Sequence, residues 1–214
     1  MVIDLSHTIG HGTVTYPGLP APAICDFLSR EASRAFYAEG VEFHIGRIDM
    51  VANTGTYLDS PFHRYANGRD LAELPLDWLV DLEAVRVRCD LPAIGPEIFE
   101  GLPIRGKAVL VETGWSRHWG TATYLSGHPF LTEAAAGFLK QSGVRLVGID
   151  SLNIDDIADK RRPVHSILLA ADIPIVEHMT NLAALPDAGF RFSAAPVKVR
   201  AFGTFPVRAF AIVP

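Results

Sequence analysis

Cysteine is nearly absent: 214 residues hold two, Cys25 and Cys89. Two distant cysteines make neither a disulfide framework nor a Cys-x-x-Cys pair. No apolar run approaches the roughly 20 residues that span a bilayer, so no membrane partner is expected. The start, Met1-Val2-Ile3-Asp4-Leu5-Ser6-His7, lacks the basic-then-apolar order of a secretory signal, which makes a cytoplasmic location the default. Positive charge is short as well. With 19 Lys and Arg against 24 Asp and Glu, the net charge of −5 argues against a nucleic-acid partner. The chain has no like-charge block, internal repeat, low-complexity tract or obvious linker.

What remains is ordinary for a globular chain with a full core, since 49% of residues are apolar and 20% charged. The length suits a single domain over 1–214. A Gly/Pro-rich loop covers 10–22, too long for a simple turn. Val2–Leu5, Val41–Val51 (with Gly46 as a possible bulge), Leu82–Arg88 and Ala108–Glu112 read as strands. So do Leu146–Asp150, Ile173–Glu177, Phe190–Val199 and Val207–Val213. Residues 29–38 read as a brief helix or an ordered loop. Thr132–Ser142 is the clearest helix, with Thr132 as its N-cap and Gly143 as its stop. The pattern is α/β, with many strands and few helices.

The densest chemistry lies in Asn53-Thr54-Gly55-Thr56-Tyr57-Leu58-Asp59-Ser60-Pro61-Phe62-His63. Glycine permits sharp turns and proline fixes φ, so a carboxylate and an imidazole four residues apart sit on a rigid, irregular segment. Read alone, such a segment is equally a turn with a capping Asp and a surface His. Acids also end two apolar strands, at Asp150 and Glu177. Open α/β sheets place their sites at strand ends. Two of these acids with His165 make a set that suits zinc, manganese or iron. The twelve residues from His165 to Glu177 fit a helix and a return strand. The plain alternatives are a strand-end charge for Glu177 and a helix-capping role for His165.

The chain resembles the cyclase family of metal-dependent hydrolases, which includes bacterial arylformamidases (kynurenine formamidases) and isatin hydrolase. The family signature reads His-x-Gly-Thr-His-x-Asp-x-Pro-x-His, and Gly55-Thr56, Asp59, Pro61 and His63 match it in register. Further matches follow in order: Asp4-Leu5-Ser6-His7 with Tyr16-Pro17-Gly18, Thr113-Gly114-Trp115, Gly148-Ile149-Asp150, and His165 to Glu177 with Thr180-Asn181-Leu182. Pro196-Val197-Lys198-Val199 and Pro206-Val207-Arg208-Ala209 complete the series. The resemblance implies a swivelling β/β/α fold, a curved mixed sheet with flanking helices, and assembly as a homodimer or homotetramer. It also implies metal ligands at Asp59, His165 and Glu177, with His63 as general acid/base. The implied reaction is hydrolysis of a small-molecule substrate, an aryl formamide or cyclic amide, by a metal-activated water.

The departures are Asn53 and Tyr57, which stand where the family's two outer metal-binding histidines stand. An amide oxygen is a weak zinc ligand, and a phenol binds well only as phenolate. One divalent ion is therefore expected, zinc first and manganese second. Without it, two close carboxylates should raise the pKa of at least one. Asn53 and Tyr57 could instead be catalytic, donating hydrogen bonds to a carbonyl oxygen. A metal-independent cyclase or lyase and a non-catalytic ligand-binding homologue stay open as alternatives. Tyr16, Phe62 and Trp115 are candidates for an aromatic wall, and Arg161-Arg162 for attracting an anion. His44 could reach the site only through a bend or a second subunit. His118 and His128 read as surface groups, and His178, next to Glu177, should point to the opposite strand face.

Overall fold

The computed structural model describes residues 1–214. Nine strands form a mixed sheet in the order Val2–Asp4, Phe210–Ile212, Ala188–Ser193, Leu82–Arg88, Ala108–Glu112, Leu146–Ile149, Ile175–Glu177, Tyr57–Asp59, Thr204–Pro206. The four strands from Leu82–Arg88 to Ile175–Glu177 pair in parallel, and those on either side pair antiparallel. Ala108–Glu112 and Leu146–Ile149 are buried at every residue, as expected for parallel strands covered on both faces.

Alternation along the strands splits the interior into two apolar clusters of 21 buried residues each, so neither face of the sheet is left to solvent. One cluster joins Leu58, Leu110, Leu146 and Val176 to Phe190 and Phe192. The other packs Val109, Val111, Val147, Ile149 and Ile175 under the helices Glu133–Ser142 and Pro163–Leu169. The first of these helices is capped as its sequence predicts. Thr132 Oγ1 accepts from the Ala135 amide at 3.2 Å, and Gly143 ends the helix in the left-handed region at φ 70°.

The fold departs from expectation around the first third of the chain. The extended reading of Val41–Val51 reduces to Ile45–Asp49, which pairs with Ala23–Leu28 as a separate two-stranded ribbon. The irregularity in that ribbon falls opposite Gly46, between Asp26 and Leu28. Residues 29–38 give one helical turn, Arg30–Ser33. The terminal strands are Ala188–Ser193 and Phe210–Ile212, shorter than or offset from their sequence readings. Two strands that build the site, Tyr57–Asp59 and Thr204–Pro206, have three residues each, too few for a periodic signal. No helix is long and apolar enough to cross a membrane.

Candidate active site

Strand register brings the acids together. Tyr57 pairs with Glu177, and Asp59 with Ile175 on one side and Thr204 on the other. Residues i and i+2 share a face, so Tyr57, Asp59 and Glu177 all project toward the helix-covered side. The approach to this strand is pinned by backbone demands. Gly55 lies at φ +68°, and a Cβ there would meet Ile9 at 2.7 Å. The Gly55 amide donates to Thr15 Oγ1 at 2.8 Å, and Thr56 Oγ1 donates to the His178 carbonyl at 2.5 Å. After the strand, the turn Pro61–His63 presents His63, while the helix Pro163–Leu169 delivers His165 from above. The helix and return strand expected between His165 and Glu177 are both present.

His165 Nε2 lies 3.6 Å from Asp59 Oδ2 and 3.7 Å from Glu177 Oε1. Asp59, His63 and His165 each offer a ligand atom, all within 4.8 Å of one another. The other ring nitrogen of His165 is committed: Nδ1 is 2.6 Å from Asp155 Oδ2, whose carboxylate also accepts the Val164 and His165 amides. Sequence reading missed Asp155, because its role depends on the helix start folding back over it. Glu177 is held too, accepting from the Ile154 amide at 2.6 Å on Oε1 and from the Tyr57 hydroxyl at 2.7 Å on Oε2. Among the carboxylate oxygens of this cluster, Asp59 Oδ2 alone is buried without a hydrogen-bond partner.

The electrostatics follow from this crowding. Burial raises the Glu177 pKa, and the Asp59 charge adds to it, while His165 opposes. Burial works against charge on His165, but Glu177, Asp155 and Asp59 outweigh it and raise its pKa. Burial also works to raise Asp59, yet the imidazoles of His63 and His165 and the Thr204 hydroxyl hold it below its usual value. Tyr57 is buried beside Glu177 and Asp59, which pushes its pKa well above 10. It is a phenol donating to Glu177, not a phenolate.

His63 is oriented through a threonine. Thr204 Oγ1 donates to Asp59 Oδ1 and lies 2.7 Å from His63 Nδ1. A hydroxyl has one proton and a carboxylate only accepts, so Nδ1–H must donate to Thr204. That assigns the tautomer and turns Nε2 toward the cavity. Close packing fixes the ring's backbone as well, since a Cβ at Gly203 would lie 2.5 Å from His63 N and Cα. Asn53, Tyr57, His63, His165 and Glu177 line one cavity of about 330 Å³, together with Tyr16, Arg64, Asn153 and Arg162.

Several expectations change. Tyr16 lines the cavity, whereas Phe62 and Trp115 do not. Asp150 is a structural clamp, its carboxylate accepting from the Thr113 amide at 2.7 Å, the Thr113 hydroxyl at 2.6 Å and the Gly114 amide at 2.9 Å. His178 does not turn to the opposite face, because its φ of 54° breaks the strand alternation. It is buried, with Nδ1 2.8 Å from Tyr124 Oη and Nε2 3.2 Å from Tyr57 Oη. His128 is buried rather than on the surface, 3.1 Å from the Asp155 carbonyl. His44 sits on the ribbon, 2.8 Å from Asp26.

Fold and geometry define an α/β protein with a buried carboxylate–imidazole cluster at the edge of a parallel sheet. The chain belongs to the Cyclase family, whose model matches residues 3–156. It is 28% identical to a protein named kynurenine formamidase from Bacillus cereus, over 97% of this chain and 95% of that one. A solved structure titled "Potential Metal-Dependent Hydrolase With Cyclase Activity" superposes with a TM-score of 0.81 at 26% identity, covering 99% of this chain and 96% of that one. Isatin hydrolase A from Labrenzia aggregata shares the fold, with a TM-score of 0.83 at 24% identity over 100% and 93% of the two chains.

Proposed function

We propose that this chain is an amidohydrolase that cleaves a small non-peptide amide, an aryl formamide or a cyclic amide, with one divalent metal ion. The observation that carries this reading is the orphaned Asp59 Oδ2 facing His165 Nε2. A buried carboxylate oxygen with no donor is costly unless a cation meets it. Asp59, His165 and Glu177 fit that cation: two carboxylates and one imidazole suit zinc first and manganese second. Asp155 supports the fit, since a metal-binding histidine usually donates its other ring N–H to a carboxylate.

Bound there, the ion would polarise the carbonyl and lower the pKa of an attacking water. His63 Nε2 takes the water's proton and returns it to the departing amide nitrogen. Thr204 and Asp59 hold the ring for both transfers. Asn53 lines the same cavity and supplies an amide donor toward the carbonyl oxygen. Tyr57 spends its proton on Glu177, which fixes that carboxylate and leaves the phenol as a positioning residue. That commitment weighs against the metal-independent cyclase or lyase reading.

The same proposal treats residues 1–214 as one cytoplasmic domain that assembles as a homodimer or homotetramer. The exposed apolar side chains of the ribbon, Phe27 and Ile48 among them, support self-association. Elemental analysis of protein purified without chelator or affinity tag, paired with an N-formylaniline hydrolysis assay, tests the central claim. One zinc or manganese per chain and release of formate are expected. A metal-free protein that hydrolyses the substrate, or a loaded one that hydrolyses no small amide, would overturn it.

A further inference from the structure

The hydrolytic steps leave one fully buried histidine unused. His178 does not line the cavity, yet its ring reaches Tyr57, which does. Its backbone lies at φ 54°, in the left-handed region that a non-glycine residue rarely adopts. Both of its backbone groups are pinned there. The amide donates to the Ser151 carbonyl at 3.3 Å, and the carbonyl accepts from Thr56 Oγ1. Strain of this kind persists where surrounding structure enforces it, and it clusters at functional sites. Here it turns the ring to Tyr57, the hydrogen-bond partner of the neighbouring Glu177.

Proton counting gives these contacts one direction. Tyr57 has a single hydroxyl proton and spends it on Glu177 Oε2 at 2.7 Å. His178 Nε2, 3.2 Å from the same hydroxyl oxygen, must therefore carry a hydrogen and donate it. Packed between two uncharged phenols, the ring is neutral, so Nδ1 carries no hydrogen and accepts from Tyr124 Oη at 2.8 Å. Trp119 closes the outer side, its ring centroid 5.1 Å from that of Tyr124 and 5.9 Å from that of His178. Tyr57, Tyr124 and Glu177 are all buried, which keeps water from competing for these groups. The last hydrogen bond occupies Glu177 Oε2, while Oε1 faces His165 Nε2 at 3.7 Å.

We propose that His178 and Tyr124 are positioning residues for Glu177. A one-way chain from Tyr124 through His178 and Tyr57 reserves Oε2, so that Oε1 is the oxygen offered to the cation. A phenol hydroxyl can rotate about its C–O bond. One that must accept from Nε2–H on one side has its proton directed to the carboxylate on the other. His178 thus acts on Glu177 through Tyr57, as outer partners act on metal ligands elsewhere. The cation part of this proposal rests on the amidohydrolase reading; the proton order does not.

Imidazole nitrogen NMR on chelator-treated protein reads the proton order without metal. The His178 signals, identified by their loss in His178→Gln, should show a protonated Nε2 and a bare Nδ1. Tyr124→Phe should move the Nδ1 resonance and leave Nε2 protonated. A hydrogen on Nδ1, or an Nδ1 resonance indifferent to Tyr124→Phe, overturns the chain. Chelator competition then reads zinc affinity, which should fall roughly 10-fold or more in His178→Phe and in Tyr57→Phe. His178→Gln keeps an amide donor near the place of Nε2 and should recover part of the loss. The Phe and Gln variants at 178 carry the same left-handed backbone, so their difference reports the hydrogen bond rather than packing. With cobalt in place of zinc, the visible absorption should change in His178→Phe and return toward the wild type in His178→Gln. Equal zinc affinity in the Phe and Gln variants, or an affinity unmoved by Tyr57→Phe, overturns the positioning role while the hydrolase reading stands. A wild type that binds no zinc but shows the Nε2–H tautomer removes the metal reading and leaves the chain.

Discussion

Thr204 sets which nitrogen of His63 faces the cavity, and its effect should be separable from that of the histidine itself. Removing a general acid/base costs roughly 10²–10⁴-fold in rate, so His63→Ala should lower kcat by that order. Thr204→Val removes the acceptor for Nδ1–H and the donor to Asp59 while keeping the side-chain shape. It should lower kcat roughly 10-fold or more, a smaller loss than that of His63→Ala, and Thr204→Ser should restore most of it. Equal rates for the Val and Ser variants would remove the relay from the mechanism. Asp155 acts one step further out, through His165 Nδ1. Asp155→Asn should weaken zinc affinity roughly 10- to 100-fold, as other outer partners of metal-binding histidines do. Competition with a chromogenic chelator reads this directly, and an unchanged affinity would mean that His165 is not a ligand.

At the scale of elements, the sequence was legible where a helix was capped and where a strand carried a Val-rich apolar run; the six-residue strand Ala23–Leu28 went unread, and Ala188–Ser193 was read out of place. Leu82–Arg88 and Ala108–Glu112 coincide with their sequence readings, because five to seven apolar-rich residues carry a clear signal. The helix after Thr132 declared both ends through its threonine and glycine. The site was legible through motif order rather than periodicity. Asp59 and His63 were visible in one segment, but Thr204 and Asp155 reach it from strands and turns distant in sequence. Only register places Thr204 opposite Asp59. His178 escaped for a local reason, a left-handed backbone that no neighbouring glycine announced. The ribbon of Ala23–Leu28 and Ile45–Asp49 gives the prediction proper to this scale. A two-stranded ribbon is marginal alone. Here Phe27 is 72% exposed and Ile48 56%, which suits burial against a second copy. Phe27→Asp with Ile48→Asp should shift the sedimenting species from an oligomer to a monomer in analytical ultracentrifugation. A wild-type chain that already sediments as a monomer contradicts the assembly reading.

For the whole molecule, stability against acid should depend on a histidine outside the cation cluster. His7 joins the N-terminal segment to the site loop, its amide donating to Thr56 Oγ1 at 2.9 Å. Its ring stacks on Trp119 at 4.1 Å between centroids, 5° from parallel. Burial lowers its pKa from 6.5 to about 4, because the packed ring resists gaining charge. The unfolded chain takes up this proton near pH 6.5, whereas the folded chain does so near 4. Its contribution to stability is therefore complete above pH 6.5 and is lost as the pH falls toward 4, where protonation of the unfolded state pulls the equilibrium. His7→Phe keeps an aromatic ring against Trp119 and cannot titrate. Between pH 7 and pH 4.5 the melting temperature of the wild type should fall further than that of His7→Phe, measured on chelator-treated protein so that metal release does not contribute. Parallel pH profiles would show that His7 titrates alike in both states, and that the N-terminal segment does not hold its ring out of water.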